Sequence, residues 1–226
     1  MRKLFYCILF TGAALIAEAQ NSISGSNLGG LPLWAPARNR VKTEGSPFLL
    51  QKFSNATIYL DQNKAIANIP ANLDLENNEI LVVDENKKLF AISVPVYRVV
   101  FEDESTGLER TVLSGLPAID KRTEKSYYEL LHPGKINLLK AITLYSSESR
   151  AYHEAVPTRK YEQEPTYYIF NDSKGIIKLP KLIQDIPTAI DTRLAGKLSK
   201  LVAEQKLNLK METDLIKLID LYNNMD

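Results

Sequence analysis

EILVVDENKKLFAISVPVYRVVFED, residues 79–103, divides into three apolar runs separated by two turn signals. Residues 80–83, 89–92 and 96–101 are rich in β-branched and aromatic side chains, which suit a pleated, half-buried surface. Asp84-Glu85-Asn86-Lys87 places turn-forming polar residues between the first two runs. Pro95 has no backbone donor, so it belongs at the start of a strand or on an edge. The stretch is predicted to fold as an antiparallel meander.

The same grammar extends in both directions. Residues 48–53 and 56–60 open the ordered part, followed by runs over 64–69 and 71–75 that end in Glu76-Asn77-Asn78. Downstream, residues 110–113, 126–131 and 136–145 read as strands, with breaks at Ser105-Thr106-Gly107 and His132-Pro133-Gly134. No helical crossover separates them, so the strands are predicted to be antiparallel, as a curved sheet, sandwich or open barrel. The polar stretch 146–164 reads as a long loop, and 166–170 with 176–179 as a hairpin. Beyond Pro180 the period changes: Ile190, Leu194, Leu198, Leu201 and Val202 share one helical face, and Leu215, Ile216, Ile219 and Tyr222 another. Thr213 and Asp214 are capping candidates for the second run. The fold class is therefore α+β, an antiparallel strand meander followed by two C-terminal amphipathic helices. It forms one domain over 48–226, with strands to about 179 and helices over about 188–224.

The N-terminus reads as an address. Arg2 and Lys3 precede an uncharged apolar run, and Ala17-Glu18-Ala19 offers small residues where a signal peptidase cleaves, so residues 1–19 are predicted to be a secretory signal peptide. A membrane anchor needs roughly 20 apolar residues, and Glu18 interrupts this run too early. Residues 20–47 are rich in Ser, Gly, Asn and Pro and are predicted to be a flexible linker or arm, with Trp34 as an apolar knot that docks on the domain or serves as a recognition element. Cys7, the only cysteine, lies inside the signal segment, which removes disulfides and thiol chemistry from the mature chain. Taking Arg2 and Lys3 from 28 basic side chains and Glu18 from 27 acidic ones leaves equal numbers, so no net field draws in nucleic acid.

Chemistry is sparse. The 2 histidines, His132 in a tight turn and His153 in a polar stretch, lack partners at metal-ligand spacing, and no G-x-S-x-G elbow accompanies them. Glu102-Asp103-Glu104 lacks the alternating grammar of a calcium loop. No metal, cofactor or catalytic residue is assigned. Tyrosine supplies the ligand-binding candidates, Tyr127, Tyr128, Tyr167 and Tyr168, together with Trp34: neighbours in a strand face opposite sides, so each pair presents one outward ring able to stack and hydrogen-bond.

GSPFLLQKFSNATIYLD (45–61), ANLDLENNEILV (71–82) and METDLIKLIDLYNNM (211–225) resemble a family of exported proteins from Bacteroidota-type bacteria. The resemblance implies export and a strand-rich body closed by a C-terminal helix. It brings no activity or site residues. The function expected from the sequence is a non-enzymatic binding or structural protein of the cell envelope, periplasmic or secreted, whose partner is an envelope protein, a peptide or a glycan. The alternatives are a carrier holding a small apolar ligand or lipid in a sheet-helix cavity, and a hydrolase using a loop histidine.

Overall fold

The computed structural model describes residues 34–36, 43–61, 64–103, 107–149 and 158–225. The predicted signal segment, most of the predicted linker, the Trp34 side chain and His153 lie outside the described residues. Among the described residues twelve strands follow in chain order: β1 (Trp34–Pro36), β2 (Thr43–Glu44), β3 (Ser54–Asp61), β4 (Lys64–Asp74), β5 (Glu79–Val83), β6 (Leu89–Ile92), β7 (Arg98–Asp103), β8 (Leu108–Leu113), β9 (Tyr128–His132), β10 (Asn137–Ser149), β11 (Thr158–Asn171) and β12 (Gly175–Lys178). They form one open, curved sheet in the order β1-β6-β5-β4-β3-β7-β8-β9-β10-β11-β12, antiparallel throughout except where β2 runs parallel to β11. Three helices follow, α1 (Ile186–Ile190), α2 (Ala195–Glu204) and α3 (Glu212–Asn223), which completes an α+β fold. Among the described residues no helix is long and apolar enough to cross a membrane.

The central stretch forms its three strands but not the predicted meander. β5 and β6 pair as a hairpin, whereas β7 lies between β3 and β8, and β6 pairs with β1. Four strand spacings separate β6 from β7 in the sheet, about 19 Å if it were flat. Six chain steps from Ile92 to Arg98 reach at most about 21 Å. The short connection is therefore compatible with a sheet that curls, and the curl encloses a core of Ile58, Ile80, Val82, Val99, Phe101 and Val112.

The predicted loop over 146–164 is instead a long strand pair in its described part. Register between β10 and β11 runs unbroken from Asn137↔Phe170 to Ser149↔Thr158. The outer half escaped the sequence pattern because it leaves the core: residues 145–149 and 162–165 are exposed, so neither face needs apolar side chains. The arm is pinned sideways by Tyr161, whose hydroxyl donates to Glu76 Oε2 at 2.7 Å, and by Gln163 Nε2, which donates to the Ser46 and Phe48 carbonyls. Ordered contacts also begin before Phe48, since β2 pairs with β11 and the Leu75 N–H donates to the Pro47 carbonyl at 2.8 Å. Gly45 makes this docking possible, with φ +75° and a position where a Cβ would stand 2.5 Å from the Tyr161 carbonyl oxygen. Gly45→Ala is expected to cost about 1–3 kcal/mol in thermal unfolding through left-handed strain alone. An unchanged melting temperature would show that this docking contributes nothing to the fold.

The first predicted helix is divided, because Asp191 adopts an extended conformation between α1 and α2. Its carboxylate is used at the break, accepting from the Arg193 N–H at 2.9 Å and the Tyr222 hydroxyl at 3.2 Å. α3 stands where predicted, but its buried face is shifted: Leu215 and Ile219 of the expected face are buried together with Leu218 against Leu138, Ile169, Ile186 and Leu198, while Ile216 and Tyr222 are half-buried. Thr213 and Asp214 do not cap it; Met211 occupies the cap position without a side-chain bond, and Asp214 accepts from the Asn208 N–H at 2.9 Å. At the far end Asn223 accepts from the Ile136 N–H at 3.0 Å and donates to its carbonyl at 3.1 Å, directly over Gly134, where no Cβ fits.

A line of charge crosses the same face. Arg110 grips Glu129 with two bonds of 2.6 and 2.9 Å, and Lys140 lies 2.8 Å from Glu129 and 3.0 Å from Glu212. The Tyr167 hydroxyl donates to Glu212 at 3.1 Å. Glu129 is 8% exposed; burial would raise its carboxyl, but the bonds and charges of Arg110 and Lys140 outweigh burial and hold it below the ordinary value.

Candidate functional site

β10 outruns its neighbour. Its last pair with β9 is Lys140↔Glu129, while its pairing with β11 continues to Ser149, so from Ala141 onward one edge of β10 has no strand beside it among the described residues. Across the gap stands the segment 119–127 leading into β9, and beyond it the turn between β4 and β5. The space between is a cleft of about 900 Å³.

Local sequence explains the opposing wall. Ile119 and Arg122 exchange backbone hydrogen bonds of 3.1 and 2.9 Å, closing a tight turn, and Asp120 takes a φ of +53° that a short polar side chain tolerates. Leu116 and Ile119 anchor the strap on Tyr128, Leu139 and Tyr168. The Asn78 amide donates to the Lys125 carbonyl at 2.8 Å, fixing the strap to the β4–β5 turn. Asp120, Lys121 and Arg122 therefore reach the cleft.

Arg122 is held in place twice: Nη2 donates to Thr143 Oγ1 at 3.2 Å, and the guanidinium lies 5.7 Å from the centroid of the Tyr128 ring. Asp120 pairs with Lys178 at 2.7 Å. Leu73, Leu75, Ile142 and Leu144 add an aliphatic portion, and Tyr127, Tyr145 and Tyr168 add rings. Among the described residues the wall contains one carboxylate, already paired, and no histidine, and its groups are suited to holding a ligand.

The predicted candidates divide. Tyr127 and Tyr168 both line the cleft. Burial, reinforced by the charge of Glu79, pushes the Tyr127 hydroxyl up to about 12. Tyr128 is 0% exposed behind the wall, edge-on to Tyr168 at 5.4 Å, with no hydrogen-bond partner for its hydroxyl among the described residues. Tyr167 faces α3 on the other side, where burial first and Glu212 second push its hydroxyl up to about 12. Trp34 contributes backbone pairing to β6, and its ring lies outside the described residues. His132 sits at the end of β9, its Nε2 3.4 Å from Asp220 on α3. Arg122, Thr143 and Tyr145 are not among the expected site residues: Arg122 belongs to a polar turn, and although 136–145 reads as a strand, nothing in its sequence says that one edge of it stays open to a cleft.

No protein-family model, no curated protein and no solved structure matches this chain.

Proposed function

We propose that this chain is an exported, non-enzymatic binding protein of the cell envelope whose ligand sits in the cleft between β10 and the 119–127 strap. The carrying observation is Arg122, positioned in the cleft by Thr143 and the Tyr128 ring and without an ion-pair partner among the described residues, since the cleft's carboxylate, Asp120, pairs with Lys178. Export is supported by the Arg2-Lys3, apolar-run and Ala17-Glu18-Ala19 pattern. The cleft is preferred over a cavity under the helices because no helix residue lines it, while the sheet-helix space holds packed side chains such as Leu198, Leu218 and Ile219.

A photo-crosslinking residue in place of Tyr145, 53% exposed at the cleft, is expected to give a discrete adduct in the envelope fraction. The same residue in place of Leu108, 68% exposed and away from the cleft, is expected to give none. Equal labelling at both positions, or none at either, sinks the assignment. The mass of the labelled chain tests export in the same sample, with a start at Gln20 expected and retention of residues 1–19 counting against it.

A further inference from the structure

We infer that the cleft takes an extended, carboxylate-bearing peptide segment of a partner protein, added as a strand along the open edge of β10. The inference rests on the binding reading above and names the ligand class.

The edge is a preformed template. Ile142, Thr143, Leu144 and Tyr145 are consecutive yet all line the cleft, as an edge does and a single sheet face does not. Pro165 stands opposite Ile142 in the β10–β11 register and has no N–H to give the ladder. That pair is therefore a non-hydrogen-bonded one, and Ile142 and Leu144 turn their N–H and C=O groups away from β11, toward the cleft. Those groups have no backbone partner among the described residues. Alternating donors and acceptors at strand spacing are what an extended peptide satisfies bond for bond, by strand addition. A saccharide offers no such ladder.

Charge selects the peptide. The wall carries Lys121, Arg122 and Lys178 against Asp120 alone. With Lys178 bonded to Asp120, Arg122 and Lys121 are left without a carboxylate among the described residues. Of its five N–H donors Arg122 gives one bond to Thr143, and the rest of a fixed guanidinium fork suits a carboxylate. The chain's own linker is a poor occupant, since Arg38, Arg40 and Lys42 carry the sign of the cleft. Side chains of an added strand alternate between neighbours of Ile142 and Leu144 and neighbours of Thr143, where Arg122 stands. The ligand is therefore a segment of alternating apolar and acidic residues.

The test selects phage-displayed random dodecapeptides on the full chain and measures synthetic versions by fluorescence anisotropy. Alternating apolar and acidic sequences should be enriched and should bind at least tenfold more weakly to Arg122→Glu. N-methylation of one alternate set of peptide nitrogens should abolish binding, and methylation of the other set should leave it intact, because only one edge of the peptide meets β10. Leu144→Pro removes an edge donor outside the β10–β11 ladder and should weaken binding beyond Leu144→Ala at an unchanged melting temperature. If Arg122→Glu fails to fold, Lys121→Glu and the methylated pair still decide. Absence of enrichment, enriched peptides without acidic residues, insensitivity to the charge reversals, or tolerance of both methylated sets each overturns the inference. Suppression of the position-145 adduct by tetragalacturonate or dodecanoate, with no peptide enriched, overturns it while the cleft reading survives. No adduct and no bound probe overturns both.

Discussion

Truncation after Lys210, or Ile219→Asp, is expected to leave a chain that unfolds or aggregates, whereas Lys217→Ala, exposed on the same helix, is expected to be nearly silent. A lone helix of α3's 12 residues is marginal in water, so its stability comes from the surface it covers. Leu215, Leu218 and Ile219 are 2%, 0% and 0% exposed, and burying each contributes about 1.5–3 kcal/mol. Their sum is comparable with the roughly 5–15 kcal/mol that stabilises a whole domain. The polar docking points fail at the same time: truncation removes Glu212 from Lys140 and Asn223 from the Ile136 backbone. Circular dichroism and size exclusion decide the outcome. A truncated chain with the parent melting temperature would show that α3 is a detachable element, outside the core.

Glu129→Ala is expected to cost about 3–5 kcal/mol, the range for removing one partner from a buried ion pair. Arg110 and Lys140, 24% and 13% exposed, would then face each other without the carboxylate that joins them, and Lys140 would keep only Glu212. At roughly 2–4 °C per kcal/mol for a chain of this size, the melting temperature should fall by about 10 °C. A pH dependence follows from the direction of the Glu129 shift. Burial opposes ionisation, the two cations favour it more, and the folded carboxyl lies below its ordinary 4.5. Its stabilisation is therefore fully present above that value and is lost as the pH falls through the lower, folded one. The stability difference between the parent and Glu129→Gln should be constant near neutrality and shrink below about pH 4. A difference that stays constant down to pH 3 would mean that the carboxyl titrates alike in the folded and unfolded chains.

Much of the strand and helix content was legible because its cause is local. Residues 80–83 and 89–92 became β5 and β6 almost residue for residue, since β-branched runs around a polar tetrapeptide make a hairpin with little outside help. Apolar spacing placed Leu215 and Ile219 on the buried face of α3 but left out Leu218, which is buried as fully. The outer half of the β10–β11 hairpin was not legible, because a strand solvated on both faces carries no alternation to read. The division of the first helix at Asp191 was hidden for a different reason. Its bond to Tyr222 spans 31 residues, and no local rule announces it.

Two of the tyrosines expected to bind a ligand line the cleft, but the charge and the edge that give it a chemistry came from elsewhere. Arg122 meets Thr143 across 21 residues and Arg110 meets Glu129 across 19, and in neither case does one partner's sequence context name the other. By itself the sequence determined that strands come first and helices last, that 28 basic side chains stand against 27 acidic ones, that Cys7 is the only cysteine, and that Leu215 and Ile219 lie on a buried helix face. Periodicity encodes which side of an element must be buried. It does not encode what will bury it, and so only the tertiary structure decided that β7 leaves the meander for β3, that the sheet curls, and that β10 extends past β9 to open an edge beside a fixed arginine.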